Sequence, residues 1–285
     1  MSDLKRVIIY GGGSTGKTIS TVTALKHANI KRLIYLQTER NSISGIAKGL
    51  EIHKIKPEAG QIITCYPTQS ENPFSNLKRA LTDYQTETKS SALQGGFKSN
   101  QNKDKYGFLN NILKNFEVFE GTDYVTGETV KIGNVAKLNG EEDVLIVDGL
   151  SVLSEEIWKS LVGDKILVSL DDYKPVQKYM TDLLEAMSKC VNAHLILLAH
   201  ETDHNEMVTD TNGKQVSKFV RKEVDFNSGI KAYERFIGKF TDVIYAEKMG
   251  IKFVWHGNKP SVHTVARNYP AQAGLEPDFS KYSFF

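Results

Sequence analysis

The chain opens on an apolar run with no polar interruption. Val7-Ile-Ile-Tyr10 follows Arg6 and is closed by a Gly/Ser loop, Gly11 to Thr15. β-Branched runs bounded in this way predict strands. Gly16 to Ala28, with Val22 and Leu25 among its apolar positions, predicts a helix. Arg32-Leu-Ile-Tyr-Leu-Gln37 predicts a second strand ending at Thr38-Glu39, Ile62 to Tyr66 a third, and Phe74 to Tyr84 a helix. Further on, Asp143-Val-Leu-Ile-Val-Asp148 and Ala193-His-Leu-Ile-Leu-Leu-Ala199 run apolar without alternation. That is the pattern of central parallel strands covered on both faces. The clearest helical stretch between them is Val176 to Val191. Strands alternating with helices predict an α/β fold, with a mainly parallel central sheet flanked by helices.

The rhythm breaks in four places. Residues 86 to 107 are rich in Gly, Ser, Asn, Gln and Lys and read as a flexible surface excursion. Phe116 to Glu120 and Thr129 to Ile132 then predict a β-hairpin with its tip near Thr126-Gly127, so residues of about 86–140 form an insertion. His200 to Gly229 reads as a long polar loop, with a hairpin turn at Thr211-Asn-Gly213. Phe240 to Glu247 and Ile251 to His256 predict two closing strands turned at Met249-Gly250, and Val262 to Arg267 one more. The tail from Pro270 to Phe285 carries Pro270 and Pro277 and is expected to pack in irregular form. The chain has no internal repeat.

Composition narrows the class. With 285 residues, 40% hydrophobic and 25% charged, the chain can bury a core and is neither collagen-like nor globally disordered. The length allows one large domain or two small ones. The net charge of +2 announces no basic face, so any nucleic-acid contact must come from local loops. The two cysteines, Cys65 and Cys190, are too few for a disulfide framework or a four-ligand zinc site and fit a reduced compartment. No apolar run approaches the ~18 residues of a membrane span. The N-terminus lacks the apolar stretch of a signal peptide. A cytoplasmic protein with no membrane partner is expected.

Candidate chemistry begins at Gly11-Gly12-Gly13-Ser14-Thr15-Gly16-Lys17-Thr18, which matches G-x-x-x-x-G-K-[ST] between a predicted strand and a predicted helix. Glycines let successive backbone N–H groups turn inward onto phosphate oxygens. Lys17 reaches the β- and γ-phosphates of ATP, and the Thr18 hydroxyl ligates Mg²⁺. The metal shell also needs an acid at a neighbouring strand end, and Asp148 supplies it. These two motifs depend on each other, so no domain boundary falls between them and the chain reads as one domain. Hydrolysis needs a group to orient water. Gly149 follows Asp148, so no acid stands there; Glu39 at the end of the second strand is the candidate, since all carboxyl ends of a parallel sheet meet at the ligand edge. A helix-capping or solvated role for Glu39 is the alternative.

Together these features resemble the RecA-like ATPases: a phosphate loop, a second strand ending in Glu39, and a strand reading Leu145-Ile-Val-Asp148-Gly-Leu-Ser151. Within that group the chain is most similar to phage RecA-like ATPases, including single-strand annealing proteins of phage recombination systems. The carriers are Ala199-His200-Glu201 and Thr241-Asp-Val-Ile-Tyr245. The resemblance implies DNA-stimulated ATP hydrolysis, a homo-oligomer and single-stranded DNA as partner. It implies that His200, at the end of the 195–200 strand, senses the γ-phosphate. His200 stands where recombinases often carry Gln, and the insertion is foreign to a minimal core. His200 and His204 lie near Glu201, Asp203 and Glu206, but no spacing there enforces a metal site.

Lys214, Lys218, Phe219, Arg221 and Lys222 form the densest basic stretch and would contact DNA by charge and stacking. The alternative is a solvated hairpin strand. The insertion adds Lys89, Lys98, Lys103 and Lys105. Arg267 is the candidate to reach a neighbouring subunit's γ-phosphate, with Arg235 and Lys239 as rivals. Other readings are a ring helicase or packaging motor, a nucleotide-dependent switch with little turnover, and a P-loop kinase. The last lacks an arginine-rich lid.

Overall fold

A computed structural model describes residues 4–37, 42–65, 120–132, 137–162, 169–209, 211, 213–226, 237–282 and 285. The predicted 74–84 helix, the 86–107 excursion with its four lysines, Glu39 and Arg235 lie outside them.

The fold is α/β with a mainly parallel central sheet. In chain order its strands are β1 (Arg6–Tyr10), β2 (Arg32–Gln37), β3 (Ile62–Cys65), β4 (Glu120–Asp123), β5 (Thr129–Lys131), β6 (Asp143–Asp148) and β7 (His194–Ala199). An arm of β8 (Glu201–Thr209) and β9 (Gln215–Val224) follows, then β10 (Asp242–Met249), β11 (Lys252–His256) and β12 (Val265–Ala266). The sheet order is β11-β10-β1-β7-β6-β2-β3-β4-β5, with β12 also on β10. From β10 to β3 every neighbouring pair is parallel. β4, β5, β11 and β12 join antiparallel.

The uninterrupted apolar runs are explained by two covered faces. Helices α3 (Leu150–Val162) and α4 (Leu170–Cys190) belong to the cluster on one face, where Met180, Leu183 and Leu184 meet Ile8, Leu145 and Leu197. On the other, α1 (Lys17–Thr21), a 3₁₀ turn (Val22–Lys26), α2 (Ser42–His53) and the tail cover Val7, Ile9, Leu33, Tyr35 and Ile146. The tail is anchored by Phe279, whose backbone N–H donates to Thr23 Oγ1 at 2.9 Å, and by Asp278, 2.7 Å from Lys26 Nζ.

Three sequence expectations change. The 16–28 helix is one α-helical turn that tightens to 3₁₀. Its hydroxyls donate back to the main chain, Ser20 to Gly16 O at 2.8 Å, Thr21 to Thr18 O at 2.7 Å and Thr23 to Ser20 O at 2.6 Å, in competition with the regular ladder. The 200–229 loop is largely the antiparallel β8–β9 arm, with a bulge after His204. β4 reaches Asp123, deeper into the expected turn, because the Asp123 carboxylate accepts from the backbone of Val125 (2.7 Å) and Thr126 (3.1 Å) and holds a tighter turn. Among the described residues no helix is long and apolar enough to cross a membrane.

Candidate nucleotide-binding site

β7 separates β1 from β6, so the carboxyl ends of all three open on one edge. The Gly11–Thr18 loop leaves β1 there, β6 brings Asp148, and His200 follows β7. The cleft between them is lined by Gly13 to Ile19, Ser44 and Gly45 of α2, Asp148, Gly149 and Leu198 to His200.

The loop's backbone is set by close packing. Gly16 has φ +79°, and a Cβ there would stand 2.6 Å from the Phe253 ring of β11. No L side chain fits both conditions. Lys17 Nζ donates to Gly11 O at 2.9 Å and Gly12 O at 2.8 Å, which curls the ammonium over the loop. Thr15 Oγ1 donates to Gly12 O at 2.9 Å. Thr18 Oγ1 donates to Asp148 Oδ2 at 3.0 Å, joining motifs 130 residues apart. A hydroxyl and a carboxylate at the mouth of a phosphate loop are the oxygen donors a hard divalent cation takes, so the residues fit Mg²⁺ with a triphosphate. Among the described residues no group of three or more His, Cys, Asp or Glu is placed to hold a metal.

Beneath the loop, Tyr35 and Thr21 share a 2.8 Å hydrogen bond. Burial holds the Tyr35 phenol well above its ordinary range, so it stays neutral. His200 is half-buried at the cleft, and its backbone N–H donates to Ser151 Oγ at 2.9 Å. Asp225 N–H donates to His200 O at 3.0 Å, which ties the end of the arm to the residue that follows β7.

Sequence reading placed a helix near Ser44 but assigned it no part in the cleft, and it assigned no role to the Glu201 side chain. A Cβ on Gly49 would come 2.4 Å from Ile19 O, so α2 rests directly on α1 and carries Ser44 and Gly45 to the cleft. The Gly45-x-x-x-Gly49 spacing was the available signal. The Glu201 carboxylate lies against the loop, its Oε1 3.8 Å from where a Cβ on Gly12 would be. It is ion-paired with Lys222 and accepts from Tyr245 Oη at 2.9 Å. That pairing and a further contact with Asp203 at 3.6 Å outweigh partial burial and raise the Lys222 ammonium above its ordinary value.

The proposed DNA contacts all lie in or beside β9. Arg221 is 2.7 Å from Glu223, and Lys222 is held by Glu201. Lys214 and Lys218 face solvent, and Phe219 is 44% exposed. Arg267 follows β12, which pairs with the first residues of β10, so it stands at the sheet's other end from this chain's own phosphate loop. Lys239 is 3.4 Å from Glu185.

No protein-family model matches the chain, and no curated protein matches it. Among solved structures it is similar to one described as a prototypical ATPase from the type III secretion system of pathogenic bacteria. Identity is 10% and the TM-score 0.38, over 86% of this chain and 51% of that one. The chain therefore spans about half the length of that structure.

Proposed function

We propose that the chain is a RecA-like P-loop ATPase that binds MgATP on the Gly11–Thr18 loop, hydrolyses it, and uses the cycle to act on DNA. The observation that carries this reading is the Thr18–Asp148 hydrogen bond at the loop's mouth. A chance Gly-rich turn has no reason to meet a strand-end carboxylate from 130 residues away.

Backbone N–H groups of the loop cradle the β- and γ-phosphates. Lys17 exchanges its two loop carbonyls for phosphate oxygens and offsets their charge. Thr18 and Asp148 would hold the cation, which when bound would supply neutralisation of the phosphate charge. Glu39, two residues past β2, orients the attacking water, and His200 reads the γ-phosphate. His200 is bonded to the β8–β9 arm through Asp225, which gives nucleotide state a route to the arm. Lys214, Lys218 and Phe219 at the arm's solvent side suit single-stranded DNA, with Arg221 and Lys222 joining on release from their acids. A cytoplasmic homo-oligomer in phage recombination or replication, with Arg267 acting in trans, completes the reading.

The test is ATP turnover by the full chain with and without single-stranded DNA, alongside Lys17→Ala and Glu39→Gln. Turnover that DNA stimulates and both substitutions abolish is expected. Nucleotide binding indifferent to Lys17→Ala removes the ATPase reading, and turnover indifferent to DNA at low salt removes the DNA reading.

A further inference from the structure

Gln37 is the last residue of β2, and its Cα is the register partner of Asp148 on β6. Alternation along the two strands sends both side chains to one face. Gln37 continues Leu33 and Tyr35, and Asp148 continues Val144 and Ile146, all on the α1–α2 side. The Gln37 side chain is 2% exposed, yet neither its amide nitrogen nor its amide oxygen has a hydrogen-bond partner. Its neighbours on that face are satisfied: Ser20, Thr21, Thr23 and Tyr35 all form hydrogen bonds of 2.6–2.8 Å. A buried amide with both ends open is disfavoured unless something outside the chain fills it, and packing alone is met as well by Met or Leu.

We propose that Gln37 is a positioning residue for the hydrated divalent cation that accompanies the nucleotide. The inference rests on the MgATP reading above. Adjacent strands stand roughly 4.8 Å apart. Mg²⁺ keeps several waters at about 2.0–2.1 Å, so a cation at Asp148 and Thr18 turns one toward β2. The Gln37 amide oxygen accepts a hydrogen bond from that water, and its N–H donates to a second water of the shell. A carboxylate at this position would add charge beside Asp148; the neutral amide orients water without competing for the cation.

The experiment titrates Mg²⁺ into the full chain with a fluorescent ATP analogue, for the wild type, Gln37→Met and Gln37→Glu. Losing a partner that orients metal-bound groups costs ~10–100-fold in metal affinity. Gln37→Met is therefore expected to keep analogue affinity in EDTA while raising half-saturating Mg²⁺ by about tenfold or more. Gln37→Glu, which retains the acceptor and adds charge, is expected to lower it. Should Met at this position fail to fold, the Glu variant alone decides. Mg²⁺ dependence unchanged from wild type in the folded variants overturns the inference and leaves the MgATP reading standing. No Mg²⁺-dependent analogue binding by the wild type overturns both.

Discussion

Tyr245 of β10 donates a 2.9 Å hydrogen bond to Glu201, whose other carboxylate oxygen is ion-paired with Lys222 of β9. The carboxylate thereby joins three separate segments beside Gly12 of the phosphate loop. Tyr10 reinforces the junction, its one O–H shared between His263 O at 2.8 Å and Lys222 O at 3.2 Å. The base of the β8–β9 arm is thus fastened to the sheet next to the Gly11–Thr18 loop.

Glu201→Gln keeps the shape and the acceptor for Tyr245 but removes the charge that holds Lys222. The pair is only partly exposed, so a loss of about 1–2 kcal/mol is expected in urea unfolding. Nucleotide affinity should change little, because Glu201 touches the loop from outside the cleft. Coupling is the discriminating readout: DNA stimulation of turnover should fall more than basal turnover. Equal losses in both would make Glu201 a structural brace only.

Gly49→Ala gives a prediction against local propensity. In an exposed helix this change stabilises by up to ~1 kcal/mol. Here the new methyl would sit 2.4 Å from Ile19 O, a backbone atom with no freedom to yield. α2 must lift from α1, carrying Ser44 and Gly45 away from the cleft. A net loss of about 1–3 kcal/mol is expected, from strain of the overpacking kind. Nucleotide affinity should fall with it. A more stable Gly49→Ala protein would mean that α2 does not rest on α1.

The central strands, the Gly11–Thr18 loop and the strand-end Asp148 were legible in the sequence because each has a local signature. β6 and β7 are unbroken apolar runs, and the phosphate loop is a fixed spacing between a strand and a helix. What the sequence hid is non-local. Glu201 reads as a polar residue after a strand; only the strand order, with β7 beside β1, brings it to Gly12. Lys222 looks like part of a basic patch, because its acidic partner lies 21 residues away across a hairpin. Gln37 looks like a polar strand end, and its two open hydrogen-bonding groups become visible only when its burial is known. The short α1 was misread for a different reason: its hydroxyls compete with the helix ladder, which apolar periodicity does not register.

The tail carries a pH dependence. Burial alone would raise the Asp278 carboxyl, but hydrogen bonds from Lys26 and from the Ser280 hydroxyl and backbone together outweigh it and hold the group below the usual carboxylate range. A lowered folded-state value contributes stability above the unfolded value of about 3.9, and that stability is lost as pH falls through the folded value. Asp278→Asn should therefore cost about 1–3 kcal/mol at neutral pH, from the loss of charge-assisted hydrogen bonds. The gap between the two proteins should close below roughly pH 4. Denaturant unfolding at neutral and acid pH measures it; a gap that does not shrink on acidification means the Lys26 pairing contributes nothing.

The cations of the arm differ in exposure. Arg221 and Lys222 are engaged by Glu223 and Glu201, so part of any phosphate contact they make is offset by the pairs they give up. Lys214 and Lys218 face solvent, and Phe219 lies open beside them. Each phosphate neutralised on single-stranded DNA contributes a slope of ~0.7 in log affinity against log salt. Replacing Lys214 and Lys218 together by Ala should reduce that slope by roughly 1.4, since two contacts are removed. Phe219→Ala should weaken binding by about 1–3 kcal/mol with the slope unchanged, because stacking releases no counterion. If the double lysine change leaves the slope where it was, the solvent side of β9 is not the DNA surface.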